Sequence, residues 1–101
     1  MGFWDLKKLE LVEFRPGIFS KVEAGSNLMM AFMEISPGKQ GVEHQHPFDQ
    51  CGIVVGGEIE MSIGEDKRLL RSMEAYFIPA GISHNWKTAQ SSAKILDIVL
   101  K

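Results

Sequence analysis

Apolar and polar residues alternate along Glu58-Ile59-Glu60-Met61-Ser62-Ile63, the two-residue period of a strand with one buried and one wet face. Gly64-Glu65-Asp66 then reads as a tight turn and Lys67-Arg68-Leu69-Leu70-Arg71 as the returning arm of a hairpin. Leu28-Met29-Met30-Ala31-Phe32-Met33 is instead apolar at both parities. That predicts a strand covered on both faces, the outer one either by a second subunit of a homodimer or by the chain's own N-terminal residues. Turn-forming clusters recur at Pro16-Gly17, Ala24-Gly25-Ser26-Asn27, Pro37-Gly38, Gly56-Gly57, Pro79-Ala80-Gly81 and Ala89-Gln90-Ser91-Ser92. They cut the chain into pieces too short for ordinary helices. Residues 3–11 suit either a brief helix or an extended segment. The pattern predicts an all-β sandwich or barrel.

Composition narrows this only a little. A length of 101 residues suits a single domain over 1–101. A hydrophobic fraction of 45% supports a packed core without disulfides, and the one cysteine, Cys51, has no intrachain partner. A net charge of -2 with mixed signs offers no electrostatic footprint for nucleic acid or an anionic membrane. No apolar run approaches the ~18 residues of a membrane span, and Met1 to Lys8 lacks a signal-peptide apolar stretch. The expectation is a cytoplasmic domain that engages neither nucleic acid nor membrane.

The chemistry is concentrated in the histidines. His44-Gln45-His46 sets two imidazoles on one face of an extended chain, where both can reach one ion. Gln50 follows past Pro47-Phe48-Asp49, and His84 lies just beyond the Pro79-Ala80-Gly81 turn. Taken alone, His-x-His is a weak signal.

The wider pattern resembles the cupin family. Gly38, five residues, His44-Gln45-His46, three residues, Gln50, six residues and Gly57 follow its first motif. Pro79-Ala80-Gly81-Ile82-Ser83-His84 follows the centre of the second, with Met73 in place of a leading glycine and Thr88 in place of an asparagine. The resemblance implies a double-stranded β-helix, or jelly-roll barrel, with the motifs at about 38–57 and 73–88. It also implies one divalent metal ion (Zn, Ni, Fe, Mn or Co) held by His44, His46, Gln50 and His84. Most cupins have glutamate where this chain has Gln50. A neutral amide leaves the ion its full charge, favouring Lewis-acid chemistry over oxygen activation. Alternatively, Gln50 hydrogen-bonds a neighbour while three histidines bind the ion.

His44 to Gln50, Gly52 to Glu58, Ile78 to His84 and Ile95-Leu96-Asp97-Ile98-Val99 look more narrowly like the KdgF-like subgroup of small cupins. Those proteins convert ring-form unsaturated uronates into linear keto sugars. Asp97 shares the parity of Ile95 and Val99, and a carboxylate on an apolar face is costly unless something binds it. In KdgF-like proteins the matching aspartate is implicated in catalysis, so Asp97 is the candidate general acid/base; the alternative is an exposed edge-strand residue. Where those proteins carry an aromatic residue and an arginine for the substrate carboxylate, this chain has Val99 and Lys101. The role would fall to Arg15, Arg68, Arg71 or Lys101. Cys51, opposite in parity to Gln50, is expected to pack away from the metal; Tyr76 and Trp86 are expected mainly as core. The expected function is a metal-dependent enzyme on a small polar metabolite such as an unsaturated uronate or other sugar acid, of isomerisation or ring-opening type. A metal-dependent dioxygenase and a non-enzymatic sensing or binding cupin are the alternatives.

Overall fold

The computed structural model describes residues 2–101. Eight strands make up the regular structure: β1 Val12–Arg15, β2 Ile18–Ala24, β3 Leu28–Ile35, β4 Gln50–Ile63, β5 Asp66–Arg71, β6 Ala75–Ile78, β7 His84–Lys87 and β8 Ala93–Leu100. All pairings are antiparallel, in the order β1-β2-β3-β8-β4-β5, with β6 and β7 also on β4. This is an all-β jelly roll. Among the described residues there is no helix; residues 3–11 are irregular, with one turn at Leu6-Lys7.

The long strand β4 organises the molecule. Gln50–Gly57 pairs with β8, and its first four residues also pair with β6. Residues 58–63 pair with β5 and β7 instead. Gly56-Gly57 is therefore not the chain-breaking turn its composition suggests. A register shift between Val54 and Gly56 bends a continuous strand from one half of the barrel to the other. Gly57 takes φ 67°, with the Ser92 carbonyl packed where a side chain would stand. The two halves close on a core that includes Ile18, Ile35, Val54, Ile59, Ile78 and Ile95.

The alternation over 58–63 holds: Ile59 and Met61 are buried between the halves. In β3 the two-faced apolar pattern buries Ala31 on one side and Phe32, 2% exposed, on the other. The N-terminal segment covers part of the outer side. Trp4 Nε1 donates to Glu23 Oε1 at 3.1 Å, and Lys21 Nζ, across from Phe32, lies 5.6 Å from the Trp4 ring.

Candidate metal centre

Backbone hydrogen bonds bring the two histidine segments together. His44 N donates to His84 O (3.1 Å) and His84 N to His44 O (2.9 Å). The Pro79-Ala80-Gly81 turn is tied to the first segment as well: Gly81 N donates to His46 O (2.8 Å) and Ala80 N to Asp49 Oδ1 (2.8 Å). Thr88, buried, locks the far ends by accepting from Lys39 N (3.0 Å) and donating to Ser36 O (2.7 Å). A side chain able to both donate and accept is what that position uses, and threonine supplies it as asparagine would.

The three imidazoles converge, with ligand atoms all within 4.8 Å of one another. Each ring is oriented by a carbonyl: His44 Nδ1 by Val42 O (2.8 Å), His46 Nδ1 by Phe48 O (3.1 Å) and His84 Nδ1 by Ile82 O (3.0 Å). A carbonyl only accepts, so Nδ1 carries the hydrogen in each ring and a neutral ring keeps its lone pair on Nε2. The Phe48 ring also stacks on His46, centroids 4.2 Å apart and 8° from parallel.

Opposite the histidines, β6, β4 and β8 carry Tyr76, Gly52 and Asp97 side by side in register. Gly52 has no side chain, so the phenol of Tyr76 lies across it and donates to Asp97 Oδ1. Gln50, one inward position along β4, donates through Nε2 to both Asp97 oxygens (3.0 and 2.9 Å). Its Oε1 is thereby turned to His46 Nε2, 2.8 Å away. Asp97 is only 4% exposed, so it is not an edge-strand residue facing water. Burial raises its pKa above the usual carboxylate range, while the bonds from Tyr76 and Gln50 act in the opposite sense. Tyr76 is pushed far up by burial and then by the Asp97 charge. Burial lowers His84, with the neighbouring His44 and His46 adding to this and the Ile82 carbonyl opposing it.

Two observations fit this set to a metal ion. His84 Nε2 is buried and meets no hydrogen-bond partner. At His46 the lone pair of Nε2 faces the lone pairs of Gln50 Oε1, a repulsive contact that a cation between them or a proton on the ring would resolve. A proton on His46 would leave His84 Nε2 bare, whereas one ion serves both. The donor set of imidazole nitrogens and an amide oxygen suits a divalent transition metal.

The remaining candidates separate cleanly. Cys51 lies on the outer face beside Phe77 and Ile98, away from the histidines. Trp86 packs on the core and over Gly41, and Tyr76 does more than fill space. Arg15 sits over Phe14, Arg71 pairs with Glu58 at 3.3 Å, and Lys101 Nζ donates to Gly25 O at 3.0 Å. Arg68 differs. It lines a cleft of about 300 Å³ between the edge strands β5 and β6, together with Met61, Ile63, Asp66, Leu70 and Tyr76.

Fold and histidine cluster together define a cupin, and the chain belongs to that family: the Cupin domain (Cupin_2) matches residues 31–99. Within the family it is similar to the pectin degradation protein KdgF of Dickeya dadantii, 29% identical over 87 residues, covering 84% of this chain and 79% of that protein. It is also similar to H2HPP isomerase of Bacillus subtilis, 28% identical over 96 residues, covering 91% of this chain but only 39% of the isomerase. The structure of KdgF from Halomonas superposes with a TM-score of 0.87 at 26% identity, covering 99% of this chain and 93% of that one.

Proposed function

We propose that this cupin holds one divalent metal ion through His44, His46, Gln50 and His84, and isomerises or ring-opens a small polar metabolite of the unsaturated uronate or sugar-acid class. The observation that carries the reading is the buried, unpartnered Nε2 of His84 beside two further imidazoles and an oriented amide oxygen. When bound, the ion supplies a Lewis acid for a substrate oxygen. The chain's own part is proton transfer. Asp97, poised by burial against two hydrogen-bond donors, takes a proton from one substrate atom and returns it to another. Arg68 is the cation of the four candidates that lines a cleft shared with Tyr76, and it would engage a substrate carboxylate there. The names of two relatives, a pectin degradation protein and an isomerase, support this chemistry. A homodimer fits the apolar outer strip of Leu28, Cys51, Phe77, Ile98 and Leu100; sedimentation at a monomer mass would remove it.

Elemental analysis of wild type and His46→Ala comes first. Near-stoichiometric metal in wild type alone, followed by anaerobic turnover of an unsaturated uronate that Asp97→Asn lacks at saturating metal, is the expected result. Strict dependence on O2 would replace this reading with the dioxygenase. No metal after reloading with Zn, Ni, Fe and Mn would leave only a binding module.

A further inference from the structure

Gln50 has two chemically different ends and only one of them can serve a cation. Nothing in its own strand decides which end turns inward, since the oxygen and nitrogen of an amide are alike in size. The choice is made from behind. Asp97 offers two oxygens and no hydrogen, and Gln50 Nε2 lies 2.9 and 3.0 Å from them. Only the amide's donor end can sit there. Tyr76 donates to Oδ1 of the same carboxylate across Gly52, which fixes the carboxylate's own rotation. Every hydrogen bond in the row runs toward Asp97, leaving Gln50 Oε1 aimed at His46 Nε2.

We propose that Asp97 and Tyr76 are positioning residues that present Gln50 Oε1, rather than Nε2, to the cation, and that they oblige residue 50 to be an amide. The inference rests on the metal-binding reading above and deepens it. A glutamate at position 50 would place acceptor against acceptor at hydrogen-bonding distance, deep in the barrel. The negative charge is still in the centre, held behind the amide instead of on the ligand. The ligand is neutral, but a buried carboxylate stands directly behind it.

The test is a reciprocal exchange read in two ways: the unfolding midpoint of metal-stripped protein, and zinc affinity by chelator competition. Gln50→Glu is expected to lower the midpoint of the stripped protein. Asp97→Asn is expected to weaken zinc at least tenfold. Gln50 Nε2 lies between both Asp97 oxygens, so in Asp97→Asn either rotamer of the new amide sets its NH2 against that nitrogen and turns the Gln50 amide over. The double exchange Gln50→Glu/Asp97→Asn restores a donor facing an acceptor. It should regain most of the lost midpoint and bring zinc affinity to within threefold of wild type or tighter. Tyr76→Phe should weaken zinc threefold or more while the protein stays folded.

Effects that simply add, so that the double exchange is as unstable as the two single losses predict, would overturn the pairing. Unchanged zinc affinity in Tyr76→Phe would remove Tyr76 from it. If wild type takes up no zinc, the functional reading falls, while the midpoints of the stripped proteins still decide whether Asp97 and Gln50 are matched. Turnover separates Asp97's two duties: the double exchange regains zinc affinity but not proton transfer.

Discussion

Replacing Gly52 with alanine strikes the centre of the row that links Tyr76 to Asp97. A Cβ built there falls 2.5 Å from Tyr76 Cζ and 2.7 Å from the Leu96 carbonyl oxygen, and closer still to the phenolic oxygen. The carbonyl belongs to the β8 ladder and has little freedom to retreat. Tyr76 must therefore swing away and give up its bond to Asp97. Overpacking of this kind costs about 1–3 kcal/mol, and losing a hydrogen bond to a buried charge about 1.5–3 kcal/mol. Gly52 is not among the residues of positive φ, so alanine returns roughly 0.4–1 kcal/mol by narrowing the unfolded ensemble. The net loss is about 1.5–5.5 kcal/mol, and at 4–8 °C per kcal/mol in a domain of this size Tm should fall by roughly 6–44 °C.

Urea unfolding followed by tryptophan fluorescence gives the midpoint and slope, and an unchanged slope confirms that both proteins unfold the same structure. A second background makes the prediction specific. With Tyr76→Ala in place the ring contact is gone, and Gly52→Ala should cost at least about 1 kcal/mol less than in wild type, a coupling of the size expected for residues in contact. A Gly52→Ala protein within about 0.5 kcal/mol of wild type, inside the usual spread for harmless surface changes, would refute the reasoning. So would an equal cost in both backgrounds.

Met73 has φ 73° and is 77% exposed. Glycine there should relieve about 1–2 kcal/mol of left-handed strain against roughly 0.4–1 kcal/mol of added unfolded-state entropy, a net gain of up to about 1.6 kcal/mol in urea. Tyr76 is the only tyrosine in the chain, so tyrosinate absorbance reports on it alone. Its folded pKa lies far above the unfolded value of 10.0. Above pH 10 the unfolded chain releases a proton that the native one keeps, and stability must fall as pH rises. Absorbance should therefore rise only with unfolding, and Tyr76→Phe should lose this part of the alkaline destabilisation. Zinc at 100 times its Kd should stabilise the protein by ~2.7 kcal/mol. His46→Ala should erase the gain, which differential scanning calorimetry can measure.

Much of this architecture was legible in the sequence because it is local. The alternation over 58–63, the turn clusters and the His44, His46 and His84 segments each declare themselves within a few residues. Their meeting depends on backbone bonds such as His44 to His84, which two motifs in order make plausible. Gly56-Gly57 misleads for a physical reason. Paired glycines favour a turn, but here they let one long strand bend while β8 stays paired through the bulge. Met73 is the converse, since the backbone takes the left-handed geometry that suits a glycine although methionine stands there.

Of the row behind the histidines and Gln50 only Asp97 was legible, and register explains why. Tyr76, Gly52 and Asp97 lie far apart in sequence and form a row only once β6, β4 and β8 pair in one specific alignment. A slip of one residue in either pairing would turn Tyr76 or Asp97 to the outer face. Asp97 was visible as a carboxylate on an apolar face, but its partners were not, and without them its burial looks like pure cost. With them the same burial becomes a constraint on Gln50. The carboxylate is held by two donors, one of which is the amide it orients toward the histidines. The orientation of Gln50 is therefore explained by the carboxylate behind it.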